Sequence, residues 1–98
     1  MFRIVEPSYF EKSYIKFFDS NEIVKFSRFK KRLKINPYIG DMIRVHFVRE
    51  FKTSKGKRAY FIIFEDKNII LFVAISNKKN QRDVIKFIFE NLSSYDVW

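Results

Sequence analysis

The spacing of apolar positions changes several times along the chain, and each change marks an element. Residues 2–5 alternate apolar and basic character, as a short half-buried strand does, and Glu6-Pro7 ends the run. Phe10, Tyr14, Phe17 and Phe18 then recur at helical spacing. Ser8 with Glu11 three residues on forms a capping-box pattern, so a first helix is expected to about Phe18. Asp19 and Glu22 repeat the pattern and open a second helix that runs to about Lys34, before Asn36-Pro37 stops it. Its stripe of Ile23, Phe26, Phe29 and Leu33 is surrounded by Lys25, Arg28, Lys30, Lys31, Arg32 and Lys34, giving an apolar seam and a positive outer face.

Alternation returns at residues 42–49, where Ile43, Val45 and Phe47 interleave with Arg44, His46 and Val48. This predicts a strand with one core face and one cation-bearing face. Residues 51–57 read as a basic loop. Two runs dense in β-branched and aromatic residues, 59–64 and 68–75, are joined by Glu65-Asp66-Lys67 and predict a tight antiparallel hairpin. Asn80 is placed to cap a last helix, with Asp83 near its positive end and Val84, Ile85, Ile88 and Leu92 as its apolar stripe. Residues 93–98 form a short tail. The order β-α-α-β-β-β-α predicts an α+β domain: one antiparallel sheet, two N-terminal helices packed on it and a short C-terminal helix, in a single domain over residues 1–98.

Composition narrows the class. A chain of 98 residues sits at the small end of what buries a core unaided, and 13 Phe, 5 Tyr and 1 Trp supply the bulk. Twenty Lys and Arg against eleven Asp and Glu leave a net charge of +9, which favours an anionic partner: nucleic acid, a membrane surface or an acidic protein. The absence of cysteine fits a reducing compartment and excludes a thiolate zinc site. The first residues do not read as a signal peptide, and no apolar run approaches the roughly 20 residues of a spanning helix. A cytoplasmic location without a membrane partner is therefore expected.

With two glycines in total, neither a phosphate loop nor a dinucleotide-binding fingerprint can be built. One histidine and scattered carboxylates give no evident metal site, so neither metal nor cofactor is expected. The charge pattern of the hairpin is more informative. Lys57 and Arg58 enter its first strand, and Lys78 and Lys79 leave its second. A hairpin folds its outer ends together, so these cations should share one edge, and like charges so gathered call for an anion.

Over residues 56–92 the order of glycine, basic residue and arginine, apolar strand, acidic turn, apolar strand ending Val-Ala-Ile-Ser, two lysines and a helix resembles the RelE/ParE superfamily, the toxins of bacterial and archaeal toxin–antitoxin pairs. The resemblance implies a RelE-like fold, a cognate antitoxin encoded beside the gene, and a toxin–antitoxin hetero-oligomer. For the RelE branch it implies metal-independent cleavage of mRNA in the ribosomal A site. ParE relatives instead poison DNA gyrase, and a copy that kept the fold but lost its chemistry would be a nucleic-acid-binding module.

The cleavage would use the 2′-hydroxyl of the RNA itself, which needs a base, a proton donor and positive charge around the phosphate. On this resemblance Arg58 stands where the family places a phosphate-contacting strand arginine, and Lys78 and Lys79 stand at its Lys-Arg pair, with the planar fork lost at Lys79. Arg44 and His46 lie on the strand that supplies lysines in relatives. Ile85 falls where some relatives carry a tyrosine that moves protons. The base would then be His46 or Tyr95, although a lone strand histidine and a tail tyrosine more commonly have structural roles. Arg44, Arg49, Lys52, Lys57 and Arg82 would extend the RNA-binding surface, and Tyr95 and Trp98 could stack on an unpaired base. The ribonuclease reading requires Arg58, Lys78 and Lys79 to meet at one rim of the sheet.

Overall fold

The computed structural model describes residues 1–96. Its five strands are β1 (Arg3–Val5), β2 (Asp41–Ile43), β3 (Val45–Lys52), β4 (Arg58–Phe64) and β5 (Ile69–Ser76), and its three α-helices are α1 (Ser8–Phe17), α2 (Ser20–Leu33) and α3 (Gln81–Glu90). The strands form one sheet in the order β1-β5-β4-β3-β2. Three of its pairings are antiparallel, but β1 runs parallel to β5, with Arg3 opposite Ile69 and Val5 opposite Leu71. The sheet is thus mixed, a correction to the wholly antiparallel expectation. Alternation along a strand carries no direction, and the direction of β1 follows from the α1–α2 pair that leaves it and covers one face of the sheet.

The pleat of β4 divides the core. Ala59, Phe61 and Ile63 point to the face covered by α1 and α2, where they meet Phe10, Phe18, Phe26 and Leu33. Tyr60 and Ile62 point to the other face and meet Ile88 of α3. Phe26 sits at the hub of the first layer, its ring edge-on to those of Phe18 and Phe72 at 5.4 and 5.2 Å between centroids, geometry that suits the ring quadrupole.

Local signals fared differently at each helix. The Asp19 side chain accepts from Glu22 N–H at 2.8 Å and Glu22 accepts from Asp19 N–H at 2.9 Å, so the capping box that opens α2 is complete. The box expected at Ser8 does not form. Pro7 takes the N-cap position without a side-chain bond, and its fixed φ of −55° already sets the entry into α1. Asn80 precedes α3 without capping it, because its side chain is turned back to Asn77 N–H. The strand expected over residues 42–49 is two strands divided at Arg44, and β3 continues to Lys52, so the loop spans only residues 53–57. The hairpin between β4 and β5 closes through a 3-10 turn, Glu65–Lys67, with Asn68 in the left-handed region at φ 54°.

Candidate phosphate-binding cleft

Where β5 ends and α3 begins, an Asn77–Asn80 turn fixes the backbone. Asn77 Oδ1 accepts from Lys79 N–H and Asn80 N–H at 2.9 and 3.0 Å, and Asn80 Oδ1 accepts from Asn77 N–H at 2.9 Å. Three backbone N–H groups are thereby satisfied inside the turn, and Lys78 and Lys79 are exposed at its tip. These two lysines, Arg82 of α3 and Arg44 from the bend between β2 and β3 line one cleft of about 710 Å³. Gln81, Asp83 and Ile85 complete its α3 wall. None of the four cations has a carboxylate partner within salt-bridge distance among the described residues.

Arg58 reaches the same end of the sheet but lies below the surface. Its guanidinium donates through Nη1 to Gly56 O at 2.9 Å, and its Nε is 3.5 Å from Glu50 Oε1. Gly56 has φ +83°, and a Cβ added there would lie 3.7 Å from Lys78 Cβ, so Arg58 and Lys78 flank the same glycine. Yet Arg58 is only 4% exposed and is not part of the cleft wall. The rim of Arg58, Lys78 and Lys79 that the ribonuclease reading required is therefore not formed: the two lysines meet at the cleft, and Arg58 is held in a buried pair with Glu50. A strand arginine looks alike in sequence in either state, because the deciding Glu50 lies on the neighbouring strand.

Glu50 was not anticipated as a site residue. It is 6% exposed, faces Tyr60 across the β3–β4 ladder, and burial raises its pKa, with Arg58 opposing and Asp41 adding to the rise. Neither Glu50 Oε1 nor Arg58 Nε has a hydrogen-bond partner. Beside them Tyr60 Oη and Ser76 Oγ share a bond of 2.8 Å, and burial raises the tyrosine pKa too. The sequence signal for Glu50 was its place on a strand otherwise occupied by apolar residues and cations.

The remaining site candidates separate. Lys57 Nζ donates to Phe17 O at 2.7 Å and to Glu22 Oε1 at 2.8 Å, which ties the β3–β4 loop to the α1–α2 junction and commits a lysine expected to be free for RNA. Arg49 is likewise committed: it donates to Gly40 O, His46 O and Tyr38 O at 2.9, 3.0 and 3.2 Å. Lys52 is exposed, opposite Arg58 in the ladder. His46 lies in a different depression, with Glu65 and Asp66, and Tyr95 packs in the α3-side core, so neither base candidate lines the cleft. Trp98 lies outside the described residues. No described group of three or more His, Cys, Asp or Glu side chains is placed to hold a metal ion, and no described helix is long and apolar enough to cross a membrane.

A second groove, between β1 and α2, contains Arg3, Lys31 and Lys34 together with Lys30, but Lys30 is neutralised by Glu6 at 2.9 Å. The α3 cleft differs in that none of its four cations is tied to a carboxylate among the described residues.

The same arrangement of strands and helices occurs in solved toxin structures. The isolated E. coli RelE toxin matches over 90% of this chain and 99% of its own, at 13% identity and a TM-score of 0.67. This chain has a RelE-like fold. A free E. coli RelE double mutant matches over 88% and 90%, at 11% identity and a TM-score of 0.70. A chain of the intact E. coli RelBE toxin–antitoxin complex matches over 79% and 96%, at 12% identity and a TM-score of 0.67. By sequence, the chain matches no protein-family model and no curated protein significantly.

Proposed function

We propose that this protein is a RelE-like toxin of a toxin–antitoxin pair and that it cleaves mRNA in the ribosomal A site without a metal, with Arg82 instead of the buried Arg58 as the guanidinium beside Lys78 and Lys79. The observation that carries the reading is the cleft in which Arg44, Lys78, Lys79 and Arg82 converge without carboxylate partners among the described residues, on a fold shared with RelE. Such a cleft is electrostatically incomplete and suits a polyanion. In the proposed reaction the RNA 2′-hydroxyl loses its proton and attacks the adjacent phosphate. The bond to the next nucleotide's 5′-oxygen breaks, that oxygen takes up a proton and a 2′,3′-cyclic phosphate is left, while Lys78, Lys79 and Arg82 bear the charge that gathers on the phosphoryl oxygens.

Arg58 supports this seat from beneath, by holding the carbonyl of Gly56, the glycine beside Lys78. Burial raises the pKa of Glu50, but its carboxylate is enclosed with Arg58 and outside the cleft wall, so it is no better placed than His46 or Tyr95 to take the 2′-hydroxyl proton. A cognate antitoxin would mask the cleft, as the RelBE complex gives the E. coli relative such a partner.

A second reading, RNA binding without cleavage, is favoured by one feature: the cleft wall carries Ile85 and neither histidine nor tyrosine. A translation extract separates the readings. Cuts phased to codons in ribosome-bound message, lost in a Lys79→Ala/Arg82→Ala variant, support the toxin ribonuclease. Salt-sensitive RNA binding without cuts supports the silent binder, and accumulated gyrase-cleaved DNA would instead point to a ParE-like inhibitor.

A further inference from the structure

Arg44 is the one cleft cation whose backbone is strained. Its φ is +64°, in the left-handed region, whereas the other non-glycine residue there is Asn68, a type that tolerates it. Such a conformation persists where neighbouring contacts hold it, and it places the arginine at a fixed point of the cleft rim. The Arg44 guanidinium lies over the Phe89 ring, with Cζ 4.8 Å from the ring centroid. Phe89 is one helical turn beyond Ile85 on the same face of α3, so the stack stands farther along the helix than Lys78, Lys79 and Arg82. The Arg44 side chain is exposed and has no hydrogen-bond or carboxylate partner among the described residues, which leaves the plane away from Phe89 open.

We infer that Arg44, stacked on Phe89, forms a shelf for one unpaired nucleobase of a single-stranded RNA whose neighbouring phosphate rests on Lys78 and Lys79. A guanidinium plane accepts a base by stacking, and one already backed by an aromatic ring is ordered before the base arrives. The lysines supply charge without reading the base, so the shelf would supply the preference of the site for a flexible, unstacked strand. The inference rests on the RNA-binding reading of the cleft.

The test is fluorescence anisotropy with a single-stranded oligoribonucleotide and a set of derivatives made abasic at one position at a time, measured across a salt series. For the native protein, one abasic position should weaken binding about tenfold and the others little, in line with base stacking on a single platform. Arg44→Lys should erase that position effect while keeping the steep salt dependence, because charge remains and the plane is lost. Arg44→Gly suits the left-handed backbone, so a loss of base preference in that variant cannot be assigned to misfolding. Equal affinity for intact and abasic RNA, with the salt dependence retained, overturns the shelf and leaves the phosphate cleft standing. Absence of salt-dependent RNA binding overturns both. A fall in Tm in Arg44→Gly with an unchanged ratio of intact to abasic affinity would make the stack a clamp between β2 and α3, and the shelf would be wrong.

Discussion

Arg58 Nε lies 3.5 Å from Glu50 Oε1 with both side chains at least nine-tenths shielded from solvent, so the strand arginine is neutralised inside the sheet. Removing either partner leaves the other charge buried and alone. Arg58→Ala and Glu50→Ala should each cost about 3–5 kcal/mol in urea unfolding, while an apolar double replacement such as Arg58→Met/Glu50→Leu loses much less. Losses below ~1 kcal/mol for the single variants would be those of a hydrated pair, and would return Arg58 to the surface as a direct phosphate ligand.

The same pairings set the pH dependence of stability, with opposite signs at the two ends of the loop. Hydrogen bonding from Lys55 holds Asp19 down to about 2, and Glu22 is also lowered because its bond from Lys57 and the capping bond with Asp19 together outweigh burial. For these two, stability is present above the unfolded carboxyl values of ~4 and is lost as pH falls through the depressed folded values. Glu50, raised by burial, acts the other way: its contribution is complete below ~4.3 and is lost as pH rises through its folded value. Asp19→Asn should flatten the acid limb between pH ~4 and ~2, and Glu50→Gln, which is neutral at every pH, should remove the fall with rising pH. Unfolding measured by circular dichroism across pH checks both, and curves parallel to the native one would refute the assignment.

How much could be read beforehand depended on the distance between partners. Asp19 and Glu22 sit three residues apart, so their capping box was visible in the letters, as were the β4–β5 hairpin and the exposed Lys78-Lys79 pair that follows it. Lys57 and Glu22 are 35 residues apart, and nothing local distinguishes a lysine held by a buried carboxylate from one free to meet RNA. Arg49 is similar: it follows a strand pattern that promised an outward cation, yet its three donors bind the turn of residues 38–40 and its own strand. The left-handed Arg44 had no signal at all, since glycine or asparagine is the usual marker of that conformation. Parallel entry of β1 was hidden for the reason that period-two alternation reads alike in both directions.

Gly40 shows how closely that turn is laid on the sheet. A Cβ there would stand 2.7 Å from Glu50 O and 2.9 Å from Phe61 Cζ, against the strand that positions the buried carboxylate. Gly40→Ala should therefore push the turn outward and destabilise the fold by about 1–3 kcal/mol, the range for overpacking. An unchanged thermal midpoint would mean that the turn relaxes freely, and then Arg49 could not be holding it in place.

The final prediction concerns charge alone and separates the two basic grooves. Each lysine or arginine that neutralises a phosphate on a single strand contributes about 0.7 to the slope of log affinity against log salt. Lys79→Ala and Arg82→Ala should each lower that slope by about 0.7, without moving the urea midpoint, because both side chains are exposed and neither is paired with a described carboxylate. Lys31→Ala/Lys34→Ala, in the groove between β1 and α2, removes the same kind of charge from the far side of the molecule and should leave the slope intact. If that pair lowers the slope and the α3 pair does not, RNA follows α2 and the seat proposed at the Asn77–Asn80 turn is unoccupied. If all four lower it equally, the strand is held by diffuse charge, and the convergence of Arg44, Lys78, Lys79 and Arg82 does not define a site.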